Sequence, residues 1–184
     1  MDEAHAITLC LKHRDPVGFE FLVGKYRREA FVHARALMGN EHDAMDACQE
    51  SFSRAFAAMP RLAELTSFYP WFYRILRNCC LNLLARRQTR QRHEETNPAR
   101  ESIDPMNPST ALQQQEHQDL VATALLRLPP AVREILVLKY VQGHRYEEIA
   151  RMLSIPRGTV MSRLFHARSA FRTEYLQLQN PTGL

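Results

Sequence analysis

The chain has 184 residues and a formal net charge of +4, with 45% hydrophobic and 24% charged residues. This composition is typical of a folded protein, and the length allows one domain or two small ones. No stretch approaches the apolar length that spans a bilayer, and the first five residues do not begin a signal peptide, so we expect a cytoplasmic protein without direct membrane insertion.

Two core helices open the chain. Apolar residues recur at helical spacing from 17 to 38, and a glycine and an asparagine then end this helix. A second helix is predicted from Glu41 to Ala58, with Asp43, Asp46 and Glu50 at positions i, i+3 and i+7. These three carboxylates form an acidic ridge, which we expect to face a basic partner or open water.

A longer basic helix is predicted from residue 67, a suitable N-cap, to about residue 87. Residues 65–93 contain six arginines and no acid. The helical period buries Phe68 and Phe72 and turns a second set outward, namely Trp71, Arg74, Asn78 and Asn82. An aromatic ring beside cationic and amide groups suits unpaired bases, whereas a core tryptophan with solvated arginines is the alternative. The absence of acids favours nucleic acid.

The apolar period is lost between residues 89 and 111, where prolines gather among polar residues. Such a stretch predicts a flexible linker. The sequence therefore predicts an all-α fold of two small helical domains, 1–88 and 112–184, joined by a linker at 89–111. The acids that follow the basic helix either keep the linker away from nucleic acid or imitate it, and simple solubility is the alternative.

Residues 146–168 read as two short helices joined by a tight turn at Pro156, each with one apolar stripe. This pattern predicts a helix-turn-helix, and a helical hairpin with a solvated basic face is the alternative. Five arginines between residues 151 and 172 favour duplex DNA. The second helix leaves outward the side chains that suit phosphates, base edges and thymine methyl groups: Arg157, Thr159, Ser162, Arg163, Phe165 and His166.

The residues that bind metals or perform catalysis elsewhere form no pattern here. The four cysteines make no C-x-x-C pair and the eight histidines show no ligand spacing, so we expect reduced thiols, no metal and no cofactor. A nuclease reading would make Asp43, Asp46 and Glu50 ligands of Mg²⁺. They lie on one predicted helix without a convergent base or nucleophile, so we expect no catalytic residues and no enzyme.

Four segments in the same order resemble those of bacterial extracytoplasmic-function (ECF, group 4) sigma factors of RNA polymerase. They are Asp43-Ala-Met-Asp46-Ala-Cys-Gln49-Glu50, Phe68-Tyr-Pro-Trp71-Phe-Tyr-Arg74-Ile-Leu-Arg77-Asn78, Leu128-Pro-Pro-Ala-Val-Arg133-Glu134, and Tyr146-Glu-Glu-Ile-Ala150 with Gly158-Thr-Val-Met-Ser-Arg163. The resemblance implies a sigma-two-like domain that binds the polymerase clamp helices and the minus-ten element. It also implies a sigma-four-like domain that binds the polymerase flap and the minus-thirty-five element.

The resemblance also implies roles for individual residues. Those that would face the polymerase clamp are Asp43, Asp46, Gln49, Glu50 and Arg54. The loop from Leu62 to Ser67 would hold an unstacked base of the minus-ten element, and the strand would be gripped by Trp71, Arg74, Arg77, Asn78 and Asn82. The outward residues of the helix-turn-helix would read the upstream duplex in the major groove.

Two features complete the expectation. The family's members are held by anti-sigma factors, so we expect such a partner, either soluble or membrane-bound. Met161 and His166 stand where family members often place a longer basic residue, which leaves the upstream sequence undetermined. The alternative function is a dimeric helix-turn-helix regulator that does not bind core polymerase.

Overall fold

The computed structural model describes residues 1–13, 15–62, 67–94 and 112–180. Within these ranges the regular structure is helical throughout, and the chain divides into two compact units, Met1–Arg100 and Glu101–Leu184. The predicted all-α fold of two helical units is confirmed. Residues 63–66 of the expected base-holding loop and residues 95–111 of the expected linker lie outside the described residues.

The first unit consists of four α-helices. They are α1 (Glu3–Thr8), α2 (Pro16–Met38), α3 (Glu41–Ala58) and α4 (Phe68–Glu94), with a π-helical turn at Leu9–His13 and a 3-10 turn at Met59–Arg61. Helices α2, α3 and α4 pack against one another, and α1 packs against α2. Their shared core includes Leu22, Phe68, Phe72 and Tyr73, all fully buried.

The predicted bounds of the two core helices are confirmed, and local polar groups explain them. The Asp15 carboxylate accepts the N–H of Val17 at 2.9 Å and caps α2, which ends at Gly39 with a φ of 84°. That left-handed conformation suits glycine because it carries no Cβ. The Asn40 side chain then accepts the N–H of Asp43 at 2.8 Å and caps α3.

Helix α4 is longer and more deeply buried than the sequence predicted. It runs to Glu94 rather than to residue 87, and so enters the segment expected as linker. Arginine and glutamine are good helix formers, and the next proline is Pro98, so nothing in the sequence stops the helix earlier. Tyr69, Tyr73 and Leu76 are also buried, because α4 contacts both α2 and α3.

The second unit holds the helix-turn-helix. Its helices are α5 (Leu112–Arg127), α6 (Pro130–Leu136), α7 (Tyr146–Leu153) and α8 (Arg157–Gln179), with a π-helical turn at Val137–Val141. Helix α8 packs against α5, α6 and α7 through Val160, Leu164 and Ala167. The chain reverses at Ser154, whose φ is 55°. Pro156 stands just before α8, at its N-cap position.

A buried arginine joins α6 to the end of α5. Arg133 of α6 donates from Nη2 to the carbonyls of Leu126 at 2.9 Å and Leu128 at 3.0 Å. Burial lowers the pKa of Arg133, because removing the guanidinium from water disfavours its charged form. The hydrogen bonds satisfy carbonyls at the end of α5, so the arginine fixes the α5–α6 corner.

None of the described helices has the length and apolar content that crossing a bilayer requires. The four cysteines are free thiols in the structure. Cys10, Cys79 and Cys80 are buried, and burial raises the pKa of the Cys48 thiol to about 11. Cys48 therefore stays protonated near neutral pH.

Candidate nucleic-acid and partner interfaces

An open cleft lies between α3 and α4 in the first unit. It has a volume of about 460 Å³, and the side chains lining it from α3 include Asp46, Gln49 and Glu50. Asn82 and Arg86 line it from α4. The structure thus brings most of the predicted polymerase-facing residues together with one residue predicted to bind DNA, and it adds Arg86, which the sequence analysis did not assign.

The three carboxylates of the acidic ridge differ in their exposure and in which helix their partner belongs to. Asp46 and Glu50 are exposed; Glu50 Oε1 accepts Arg54 Nε at 2.6 Å, and Asp46 Oδ2 lies 3.4 Å from His42 Nδ1. Asp43 differs, because its Oδ2 accepts Arg87 Nη1 of α4 at 3.1 Å and its side chain is only 34% exposed. Asp43 therefore links α3 to α4, whereas Asp46 and Glu50 are open to a partner.

The predicted DNA-gripping residues of α4 form a stripe that points away from the core. Arg74, Asn78 and Asn82 are exposed and follow Trp71 at i+3, i+7 and i+11. Trp71 is half-buried, with its ring 5.8 Å from the buried Phe68 ring in an edge-on arrangement. Part of the indole therefore supports the core and part remains accessible.

Three further predicted positions flank this stripe. Arg77 is half-buried and lies off the stripe, about 100° around the helix from Asn78. Leu62 is half-buried and Ser67 is exposed, and both border the undescribed residues of the expected base-holding loop. The structure thus places both ends of that loop in the first unit, with its second end at the start of α4.

The recognition helix α8 presents its predicted side chains at its N-terminal half. Ser162, Arg163, Phe165 and His166 are exposed, and Thr159 is half-buried. Arg157 is exposed too, but its Nε lies 2.9 Å from Glu147 Oε1 of α7. That ion pair bridges the two helices of the helix-turn-helix and orients Arg157 on its outer face.

The sequence analysis left the contacts of Met161 undetermined. Its side chain is 52% exposed, and that of Phe165, one turn later, is 63% exposed. Both lie on the side of α8 away from the buried Val160 and Leu164, so they form an apolar pair open to a partner. The i, i+4 spacing of the two residues was visible in the sequence, but only the burial of Val160 and Leu164 shows that Met161 and Phe165 lie on the exposed side of the helix.

Two family matches cover these two units. Residues 22–90 match sigma-70 region 2, and residues 118–171 match sigma-70, region 4. The RNA polymerase sigma-H factor of Pseudomonas aeruginosa is 30% identical over 164 residues, which are 85% of this chain and 85% of that protein. The ECF RNA polymerase sigma-E factor of Salmonella typhimurium is 31% identical over 167 residues, with the same coverage of both chains. The chain belongs to the ECF sigma-factor family.

Two solved structures share the fold. The sigma factor RpoE from Bartonella quintana, crystallised with the anti-sigma factor NepR, aligns with a TM-score of 0.65 and 22% identity over 85% of this chain and 95% of that one. CnrH in complex with the cytosolic domain of CnrY aligns with a TM-score of 0.66 and 22% identity, over 93% and 92%. Membership of this family agrees with a non-enzymatic role in transcription initiation.

Proposed function

We propose that this ECF sigma factor binds core RNA polymerase in the cytoplasm and directs promoter recognition, promoter melting and transcription initiation for a signal-responsive set of genes. The observation that carries the proposal is the adjacency of two exposed surfaces in the first unit. Carboxylate and amide groups of α3 stand beside the cationic and aromatic stripe of α4, while the second unit supplies a helix-turn-helix.

The α3–α4 cleft is the proposed polymerase contact. Asp46, Gln49 and Glu50 present two charges and an amide on consecutive turns of one helix, which suits a basic helical partner such as the polymerase clamp helices. Arg54 holds Glu50 in place. Asp43 contributes indirectly in this proposal, because its bond to Arg87 fixes α3 against α4.

The stripe on α4 is the proposed minus-ten contact. An unpaired base loses its neighbours in the duplex, and an accessible indole edge with nearby amides can replace stacking and hydrogen bonds. Trp71, Asn78 and Asn82 supply these groups, and Arg74 and Arg77 supply charge for the phosphates. The loop from Leu62 to Ser67 leads directly into this stripe, so we assign the unstacked base to it.

Helix α8 is the proposed minus-thirty-five contact. Ser162, Arg163 and His166 can donate to base edges or phosphates in the major groove, and Thr159 with Arg157 can contact the backbone at the helix start. The apolar pair Met161 and Phe165 has one complementary group in that groove, the methyl of thymine. We therefore propose that thymine is part of the upstream element.

An anti-sigma factor is the proposed inhibitor. RpoE of Bartonella quintana was solved with the anti-sigma factor NepR, and CnrH was solved with the cytosolic domain of CnrY. A protein that covers the α3–α4 cleft would block polymerase binding, because the exposed carboxylates of α3 face this cleft. The flap of polymerase is the proposed second contact, through the second unit.

The dependence of DNA binding on core polymerase tests the proposal. We expect the free chain to bind promoter duplex weakly and as a monomer, and to bind it tightly when core polymerase is added. Gel-shift titrations with and without core enzyme, combined with light scattering of the free chain, give both quantities. Tight binding by a dimer without core enzyme would support the alternative, a conventional helix-turn-helix regulator.

A further inference from the structure

The start of α4 is held by a carboxylate from the first turn of the chain. Glu3 Oε1 accepts the backbone N–H of Phe68, the first residue of α4, at 2.9 Å. Its other oxygen, Oε2, accepts Lys25 Nζ at 2.6 Å and the Tyr26 hydroxyl at 2.5 Å. One side chain thereby joins α1, α2 and α4.

Aromatic packing reinforces this junction. The Tyr26 ring stacks on the rings of Phe68, with centroids 5.7 Å apart, and Tyr69, with centroids 5.1 Å apart. Phe68 in turn supports Trp71. Tyr26 therefore packs against the first turn of α4, and Glu3 caps that turn.

The cap matters because the first turn of a helix has backbone donors without intrahelical partners. Pro70 has no N–H, and the Phe68 N–H at the helix start is satisfied by Glu3 Oε1. A carboxylate at this end also interacts favourably with the helix dipole. Glu3 lies outside residues 22–90, which match sigma-70 region 2, so the cap comes from a part of the chain that the family match does not include.

We propose that Glu3 is a positioning residue for minus-ten recognition. By binding Phe68 N–H it fixes where α4 begins, and with it the positions of Ser67 and of the Trp71 indole. Base selection requires these groups to be held within a fraction of an ångström, since a loosened pocket accepts several bases. The inference rests on the proposed function of α4 in binding the minus-ten strand.

Base selectivity is the readout that separates positioning from general stability. The full-length protein with core polymerase is titrated with a single-stranded minus-ten oligonucleotide and with the same strand changed at the unstacked base. For Glu3→Ala, which removes the acceptor, we expect the ratio of the two affinities to fall by about fivefold, the change that corresponds to losing a typical helix cap. Glu3→Gln keeps a neutral acceptor for Phe68 and should recover part of the selectivity.

Asp15→Ala is the matched control. It removes the cap of α2 in the same unit at a similar cost in stability, but Asp15 caps through Val17 and not through α4. We expect Asp15→Ala to lower the unfolding temperature as Glu3→Ala does while the affinity ratio stays at the wild-type value. Hydrogen exchange of the Phe68 amide should accelerate in Glu3→Ala and not in Asp15→Ala.

The outcomes are distinct. Equal selectivity in wild type, Glu3→Ala and Asp15→Ala would overturn the positioning role, as would a parallel loss in both variants. A wild-type complex that shows no preference between the two strands would overturn the proposed minus-ten function itself, and the positioning role with it. If Glu3→Ala does not fold, Glu3→Gln decides, because its loss of selectivity should follow the acceleration of Phe68 amide exchange. Wild-type selectivity with accelerated exchange, or lost selectivity with wild-type exchange, would overturn the inference.

Discussion

The two units present their contact residues in different ways. In the first unit the side chains come from two helices, and polar bonds between elements set their positions: Arg87 to Asp43 joins α4 to α3, and Glu3 to Phe68 joins α1 to α4. In the second unit the proposed DNA contacts project from one helix, α8, whose opposite side is buried by α5, α6 and α7. Recognition therefore depends on tertiary packing in the first unit and on a single helix in the second. We expect the effects of substitutions to be coupled in the first unit and additive in the second.

The largest expected effect concerns the polymerase contact. Changing both Asp46 and Gln49 to alanine should weaken binding to core polymerase by about 2 kcal/mol or more, because it leaves the basic groups of the partner buried and unpaired. Competition binding with labelled core enzyme measures it, and Glu20→Ala, which removes an exposed carboxylate from α2, is the control. The preference for upstream duplex should be unchanged. If the double variant bound core polymerase with wild-type affinity, α3 would not be part of the interface.

The second effect concerns a single side chain of α8. Arg163→Ala should weaken binding to the upstream duplex by about 1–3 kcal/mol if it reads a base, or reduce the salt slope by about 1 if it touches phosphate. Arg172→Ala, an exposed arginine farther along the same helix, should change neither strongly. If both variants weaken binding equally, Arg163 makes no specific contact and contributes only to the general positive charge of the helix.

The third effect is a dependence of stability on pH in the first unit. Burial alone would raise the pKa of Glu3, but hydrogen bonds from Lys25, Tyr26 and Phe68 outweigh it and lower the pKa below 4.5. The folded pKa lies below the unfolded one, so the carboxylate stabilises the fold above about pH 4.5 and this contribution is lost as pH falls through the folded pKa.

Denaturant unfolding across the pH range measures this contribution. The free energy of unfolding should be about 1 kcal/mol higher in wild type than in Glu3→Gln near neutral pH, because a charged acceptor makes stronger hydrogen bonds than a neutral amide. The difference should shrink in acid, where Glu3 is protonated. A difference that is constant down to acid unfolding would show that the Glu3 charge contributes nothing.

The smallest effect tests the apolar pair of α8. Replacing each upstream thymine by uracil removes a methyl group and leaves the hydrogen-bonding edge intact. The sensitive position should lose about 0.8 kcal/mol, the value of one buried carbon. Met161→Ala or Phe165→Ala should abolish that sensitivity at the same position, while Arg163→Ala should preserve it. Duplexes with uracil at every position that bind as tightly as thymine duplexes would contradict the methyl contact.

The sequence predicted those parts of the fold that local patterns control. Helix α3 was predicted with its observed bounds because Asn40 caps it and Ala44 and Ala55 set its buried side. The helix-turn-helix was predicted because two apolar stripes flank a proline turn. Helix α4 was predicted too short, since arginine and glutamine give no signal for where a helix stops.

Contacts between distant residues could not be predicted. Glu3 and Phe68 are 65 positions apart, and a lone glutamate near the start of a chain carries no sign of a helix that it will cap. The engagement of Asp43 by Arg87 was hidden for the same reason, so the acidic ridge looked uniform in sequence but is not in the structure. The assigned contact residues remain predictions. Those on α8 are inferred from their exposure on one helix, with few contacts to other elements to support them.

Transcription by the reconstituted holoenzyme tests the central claim most directly. The chain is combined with core RNA polymerase on a pool of random promoter sequences, and the transcripts are sequenced. We predict initiation at templates that share an upstream element and a minus-ten element at a fixed spacing, and its loss when Asp46 and Gln49 are both changed to alanine. Transcripts no different from those of core enzyme alone would contradict the account.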